Sequence, residues 1–247
     1  MILPYAVDVP LDRRPWMNGA LIALTIGVSV ACFVQPDLVN ALALGRPDVP
    51  APLQQIAPLL EGTPGFDKFP ARFEPHSYVS HGFVHAGFLH LVGNMVFLFV
   101  FGNAVNYKLG HIGYLVTYIS LMCIAAGVHV VARGTPAVGA SGAIFGVIGV
   151  FVVCFPLNRV HCAYFAFYRL HDHVGWFEVS SIWIVASWVV CDVLTMFFDL
   201  AGNVAVEAHL GGFAAGFVAG LLLVAAKIVR PGESERTLLD LLWHSAR

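Results

Sequence analysis

Residues 209–226 read HLGGFAAGFVAGLLLVAA, eighteen positions without a charge, and an apolar stretch of about 18 or more is the mark of a helix that crosses a bilayer. Gly212, Gly216 and Gly220 recur every fourth residue, so one side of that helix is bare of side chains and a second backbone can lie against it. A matching stretch, GASGAIFGVIGV at 139–150, sets Gly142 and Gly146 four apart. Two smooth stripes predict two membrane helices in close contact. Each stripe is preceded by one polar residue, Ser141 in the first case and His209 in the second. Polar groups at that depth are costly and point to function.

The rest of the chain fits the same class. Of 247 residues, 58% are hydrophobic and 11% charged, with a mean hydropathy of +0.78, whereas a soluble domain carries about 25% charged residues. Six apolar spans are predicted near 17–35, 83–106, 112–132, 138–157, 176–198 and 207–229. The fold class is therefore an all-α, multi-pass membrane protein. Its domain plan is a tail over 1–16, a six-helix domain over 17–229 with a long outer loop at 36–82, and a second tail over 230–247. Seven prolines from Pro47 to Pro75 make the outer loop irregular, with apolar patches such as Leu38 to Leu44 suited to the membrane surface.

Lys and Arg set the orientation. With the N-terminus inside, Arg13, Arg14, Lys108, Arg159, Arg169, Lys227, Arg230, Arg236 and Arg247 are cytoplasmic, and Arg46, Lys68, Arg72 and Arg133 are outside. Nine against four puts both termini in the cytoplasm. Arg13-Arg14 ahead of an apolar run has some look of a signal peptide, and Ser29-Val30-Ala31-Cys32 of a lipidation site, but five further spans follow. The cations are scattered singly and the net charge is −2, which gives nucleic acid no surface to bind. Cys32, Cys123, Cys154, Cys162 and Cys191 lack the spacing of a disulfide framework and read as packing residues.

In this topology the second, fourth and sixth spans run from outside to inside. His85, His90, Asn94, Ser141 and His209 then share the outer part of their helices. A serine hydroxyl needs a neighbouring base to accept its proton, and histidine titrates closest to neutrality. Ser141 is the candidate nucleophile and His209 the candidate base. Position 143 is Ala, so the Gly-x-Ser-x-Gly elbow of soluble hydrolases is absent and membrane helices must supply the geometry. His90 and Asn94, four apart on one helical face, are placed to donate to a developing oxyanion together with the Ser141 backbone N–H. His85, five residues before His90, turns away and is expected at the outer mouth. Taken singly, a serine among small residues or a lone histidine in a membrane helix is more often structural; matched depth and matched glycine stripes favour catalysis.

His85-Ala86-Gly87-Phe88-Leu89-His90-Leu91-Val92-Gly93-Asn94, Phe101-Gly102-Asn103-Ala104, Leu109-Gly110, Gly139 to Gly146 and Ala208-His209-Leu210-Gly211-Gly212 together resemble the rhomboid family of intramembrane serine proteases, over roughly residues 76 to 226. The resemblance implies a six-helix core, a Ser–His dyad without a third acid, and cleavage of transmembrane-protein substrates near the outer face. It makes Ser141 the nucleophile, His209 the general base, His90 and Asn94 oxyanion partners with Gly139 beside them, and Phe145 an aromatic that stacks on the catalytic imidazole. The chain departs from the family at His76-Ser77, where rhomboids often carry Trp-Arg, at Asn106 in place of Glu and at Lys108 in place of Arg. Those departures bear on the outer loop and the first cytoplasmic turn.

His81, His85 and His90 have no carboxylate or cysteine in their pattern, so no metal is expected, and no cofactor. Asp192 lies mid-span, where a charge is expensive; it should be protonated or paired, with a proton relay as the functional alternative. Leu238 to Trp243 reads as a short interfacial helix. Trp176, Trp183 and Trp188 read as ordinary membrane-helix aromatics. The expected partners are transmembrane-protein substrates and the lipid bilayer, with a bacterial inner membrane the expected residence. The rival functions are a catalytically inactive rhomboid-like binder of membrane proteins and a proton-conducting transporter, the latter disfavoured because no symmetry relates the two halves.

Overall fold

The computed structural model describes residues 2–11, 13–47, 71–168, 171–202, 204–232 and 235–244. Nine α-helices appear among them: α1 (Trp16–Val34), α2 (Asp37–Leu42), α3 (Ser77–Ser80), α4 (Phe88–Phe97), α5 (Asn103–Ala132), α6 (Ser141–Cys154), α7 (Ser181–Phe197), α8 (Val206–Ala225) and α9 (Leu238–His244). Five strands accompany them: β1 (Ile2–Val7), β2 (Arg46–Pro47), β3 (Ala71–Arg72), β4 (Arg159–Tyr168) and β5 (His171–Ser180).

The helices are amphipathic in the inverted sense that a bilayer favours. The buried residues of α1 are Asn18, Leu21, Thr25, Ser29 and Cys32, spaced three and four apart, while Leu24, Val30 and Val34 are exposed. Lipid solvates the apolar side, and polar groups find partners inside. Asn18 is the clearest case. Its amide donates to the Leu98 carbonyl at 2.9 Å and to Asn103 Oδ1 at 2.8 Å, and its Oδ1 accepts from the Tyr114 hydroxyl at 2.6 Å. The Leu98 carbonyl opens the π-helical turn Leu98–Gly102 that joins α4 to α5, so a local widening of the helix coincides with an inserted side chain. Asn106, one of the departures from the family pattern, accepts the Asn18 backbone N–H at 3.2 Å.

A left-handed residue, Gly110 (φ 72°, ψ 174°), breaks α5. It divides a 45-residue helical stretch, Phe88–Ala132, into two arms, at the position where the sequence predicts the turn between the second and third spans. Helices Trp16–Val34, Phe88–Ala132 and Val206–Ala225 are long and apolar enough to cross a membrane, and α6 and α7 are shorter apolar helices. The fold is a mainly helical membrane bundle.

The all-α expectation needs correction at one end. Strands β1, β4 and β5 form an antiparallel three-stranded sheet in that order, and the predicted fifth span starts at Ser181 rather than 176, because Trp176 to Ser180 belong to β5. The reason is a period of two: Val160 and Cys162 are fully buried, while Arg159 and His161 pair with Glu178 across the sheet, each at 3.2 Å. The predicted tail over 1–16 likewise contains β1, whose partner is β4. At the same end, Lys108 and Glu235 form an ion pair with both side chains 9% exposed, which gives the third departure from the family pattern a partner. Helix α9 lies where the sequence predicts a short helix, opened by reciprocal bonds between Thr237 and Asp240.

At the opposite end the predicted outer loop is anchored before and after residues 48–70, which lie outside the described residues. Leu44, expected at the membrane surface, is 1% exposed and bridges to Ala137 through paired backbone hydrogen bonds of 2.9 Å. Ser80 Oγ donates to the Leu42 carbonyl at 2.7 Å. The outer loop thereby braces the segment that leads into Ser141.

Candidate functional site

Helix α8 lies against α6, and the contact is backbone on backbone. A Cβ placed on Gly212 would fall 2.0 Å from the Gly142 carbonyl oxygen, and one on Gly216 would fall 1.8 Å from the Gly146 carbonyl oxygen. The stripes predicted from the four-residue glycine periods face each other. One end of the paired stripes opens into a cavity of about 1050 Å³ whose lining includes His90, Asn94, Ser141, Phe145, Asp192 and His209. Trp188 closes one flank, and Gly202, Val204 and Ala205 from the α7–α8 connection close another.

Ser141 is the first residue of α6. Ile144 is the first residue of that helix whose N–H bonds back, to Ala140 at 3.0 Å, so the N–H groups of Ser141, Gly142 and Ala143 have no helical acceptor and give the site a positive pole. Before it, Gly139 has φ +124° and sits so close to His90 that a Cβ there would fall 2.8 Å from the imidazole Cε1. Only glycine suits that backbone and that gap. Its N–H donates to the His81 carbonyl at 3.0 Å. Asn94 Nδ2 is buried with no partner, an amide donor available to a group entering the cavity.

His209, in the first turn of α8, is 9% exposed. Its ring stacks on Phe145 at 4.4 Å with 7° between planes, as the family resemblance implies. Nδ1 lies 3.0 Å from Asp192 Oδ2, and Nε2 has no hydrogen-bond partner among the described residues. Ser141 and His209 line one cavity without being hydrogen-bonded to each other.

His85 does not line the outer mouth. It is 2% exposed, its Nδ1 is 3.0 Å from Ser29 Oγ, and its ring meets that of His90 edge-on at 5.0 Å. It supports His90 from behind, held there by a hydroxyl of α1. Two pairings were not legible in the sequence. Asp192 with His209 is one. The other is Glu207 with Arg133 at 3.0 Å, which ties the start of α8 to the segment after α5; no local signal could couple residues so far apart in the chain. Among the described residues no cluster could hold a metal ion.

The rhomboid domain matches residues 72–226. The chain belongs to the rhomboid family. Over 146 residues, 59% of this chain and 68% of the relative, it is 26% identical to the rhomboid protease GlpG of Haemophilus influenzae. It is 30% identical over 146 residues, 58% of this chain and 65% of the relative, to the putative rhomboid protease YdcA of Bacillus subtilis. Over 93 residues, 36% of this chain and 31% of the relative, it is 34% identical to rhomboid-like protein 11, chloroplastic, of Arabidopsis thaliana. These matches span between about a third and two thirds of the relatives' own length. This rhomboid is thus a multi-pass membrane protein of a family whose members are generally serine proteases.

Proposed function

We propose that this rhomboid is an intramembrane serine endopeptidase that hydrolyses transmembrane proteins near the outer leaflet. The observation that carries the reading is the cavity itself: within an apolar bundle, Ser141, His209, an unpaired Asn94 amide and His90 line one space. Six membrane spans are proposed, with Gly110 at the second-to-third turn and both tails in the cytoplasm. The joining of β1 to β4 and of Lys108 to Glu235 at one end supports that topology, since each pair comes from segments that it assigns to the same side.

In the proposed reaction a substrate segment unwinds at the cavity mouth and presents a peptide carbonyl to Ser141. The hydroxyl oxygen bonds to the carbonyl carbon while its proton passes to His209 Nε2. The developing oxyanion is held by Asn94, His90 and the N–H groups that begin α6. His209 then returns the proton to the departing amine, and water repeats the sequence to release the acyl group. Gly139 leaves room for the His90 ring, and non-helical backbone there is tolerable because it lines a wet cavity. Cleavage of a transmembrane reporter in liposomes by wild type and Ser141→Ala tests this; loss of cleavage by a folded variant is expected, and undiminished cleavage refutes it.

A further inference from the structure

From the 3.0 Å contact between Asp192 Oδ2 and His209 Nδ1 we infer that Asp192 is a positioning residue for the general base, so that this rhomboid works with three residues rather than two. The inference rests on the protease reading above. Asp192 sits on α7, where Val190, Val193 and Leu194 are 54%, 43% and 48% exposed on surface suited to lipid. A carboxylate on such a helix is expensive unless paired. The Asp192 side chain is 19% exposed and that of His209 is 11% exposed, so the contact is sheltered at the cavity wall.

The imidazole is fixed from two directions. Phe145 holds its face by stacking, which sets the ring plane but is indifferent to a half-turn about Cβ–Cγ that exchanges Nδ1 with Cδ2. Asp192 fixes the rotation. An ionised carboxylate only accepts, so the proton of the neutral imidazole resides on Nδ1, which donates to Asp192, and Nε2 is left as the basic nitrogen. When Nε2 takes the Ser141 proton, the positive charge that forms on the ring lies beside the negative charge of Asp192. The carboxylate stays ionised throughout and takes no proton itself. Phe145 and Asp192 come from different helices, α6 and α7. Displacement of α7 would therefore uncouple the base from its carboxylate while the stacking stays intact.

The test compares wild type, Asp192→Asn, Asp192→Ala and Ser141→Ala on one transmembrane reporter in liposomes, with kcat and KM resolved. Asp192→Asn is nearly isosteric and can still accept from Nδ1 but carries no charge; Asp192→Ala removes both functions. Both should cut kcat by about tenfold or more, Asp192→Ala at least as much as Asp192→Asn, with KM within about twofold of wild type. As a second reading, the Nδ1 proton of His209, followed by NMR in selectively labelled protein, should resonate far downfield in wild type and be lost in Asp192→Ala. Wild-type kcat in both Asp192 variants, beside an inactive Ser141→Ala, overturns the role of Asp192 and leaves the protease reading standing. A rise in KM that accounts for the whole loss also overturns it, because the residue would then serve substrate binding. Ser141→Ala with wild-type activity would instead remove the protease reading.

Discussion

Gly216→Ala adds one methyl group where, among the described glycines, a Cβ would have the least room. Its Cβ would lie 1.8 Å from the Gly146 carbonyl oxygen, and real Cβ atoms essentially never approach a neighbour within 3.0 Å. The shortfall from 3.0 to 1.8 Å is 1.2 Å, and the obstacle is backbone on both sides, so no side chain can rotate out of the way. Helices α6 and α8 must part by about that distance. Overpacking of this kind costs about 1–3 kcal/mol. The effect on cleavage should be larger in proportion, because α6 carries Ser141, α8 carries His209, and a misplacement of about 1 Å costs on the order of 100-fold. Thermal unfolding in detergent micelles and reporter cleavage in liposomes measure the two effects separately. Gly27→Ala on α1, where a Cβ meets nothing within 4 Å, is the control and should behave as wild type. If Gly216→Ala melts and cleaves like wild type, the backbone contact does not set the site geometry.

Asn94→Ala removes the unpaired buried amide; kcat should fall by about 100-fold or more with little change in melting temperature, as for other oxyanion donors, measured on the liposome reporter. Phe145→Ala removes the 4.4 Å stack on His209; it should lower kcat on the liposome reporter, because the ring plane of the base is no longer held, and cost about 0.5–1.5 kcal/mol in the melting assay for the lost ring contact. Lys108→Met strands the Glu235 carboxylate at a site where both side chains are 9% exposed. A loss of about 3–5 kcal/mol is expected in the same assay, and adding Glu235→Leu should restore most of it.

The parts of the fold legible in the sequence were those with a period. Glycines at every fourth position on two apolar stretches foretold the α6–α8 contact, and Gly110 sits at the expected break between two spans. The sheet was not legible, because the burial of Val160 and Cys162 depends on a strand more than 150 residues earlier. The candidate site divides in the same way. His90 and Asn94 lie on one helical face and so line one cavity. The position of His85 is not legible from its own segment, because the hydroxyl that holds it belongs to Ser29 on α1. Asp192 was recognisable as a charge out of place, but its partner depends on how α7 leans against α8, which helical spacing within either segment leaves open.

The most direct measurement is reaction of the folded protein with a fluorophosphonate probe, followed by mapping of the modified residue. An activated hydroxyl reacts and an ordinary serine does not. Labelling confined to Ser141 and lost in His209→Ala is the expected result. A folded protein that leaves Ser141 unlabelled, or that labels equally without His209, would contradict the account.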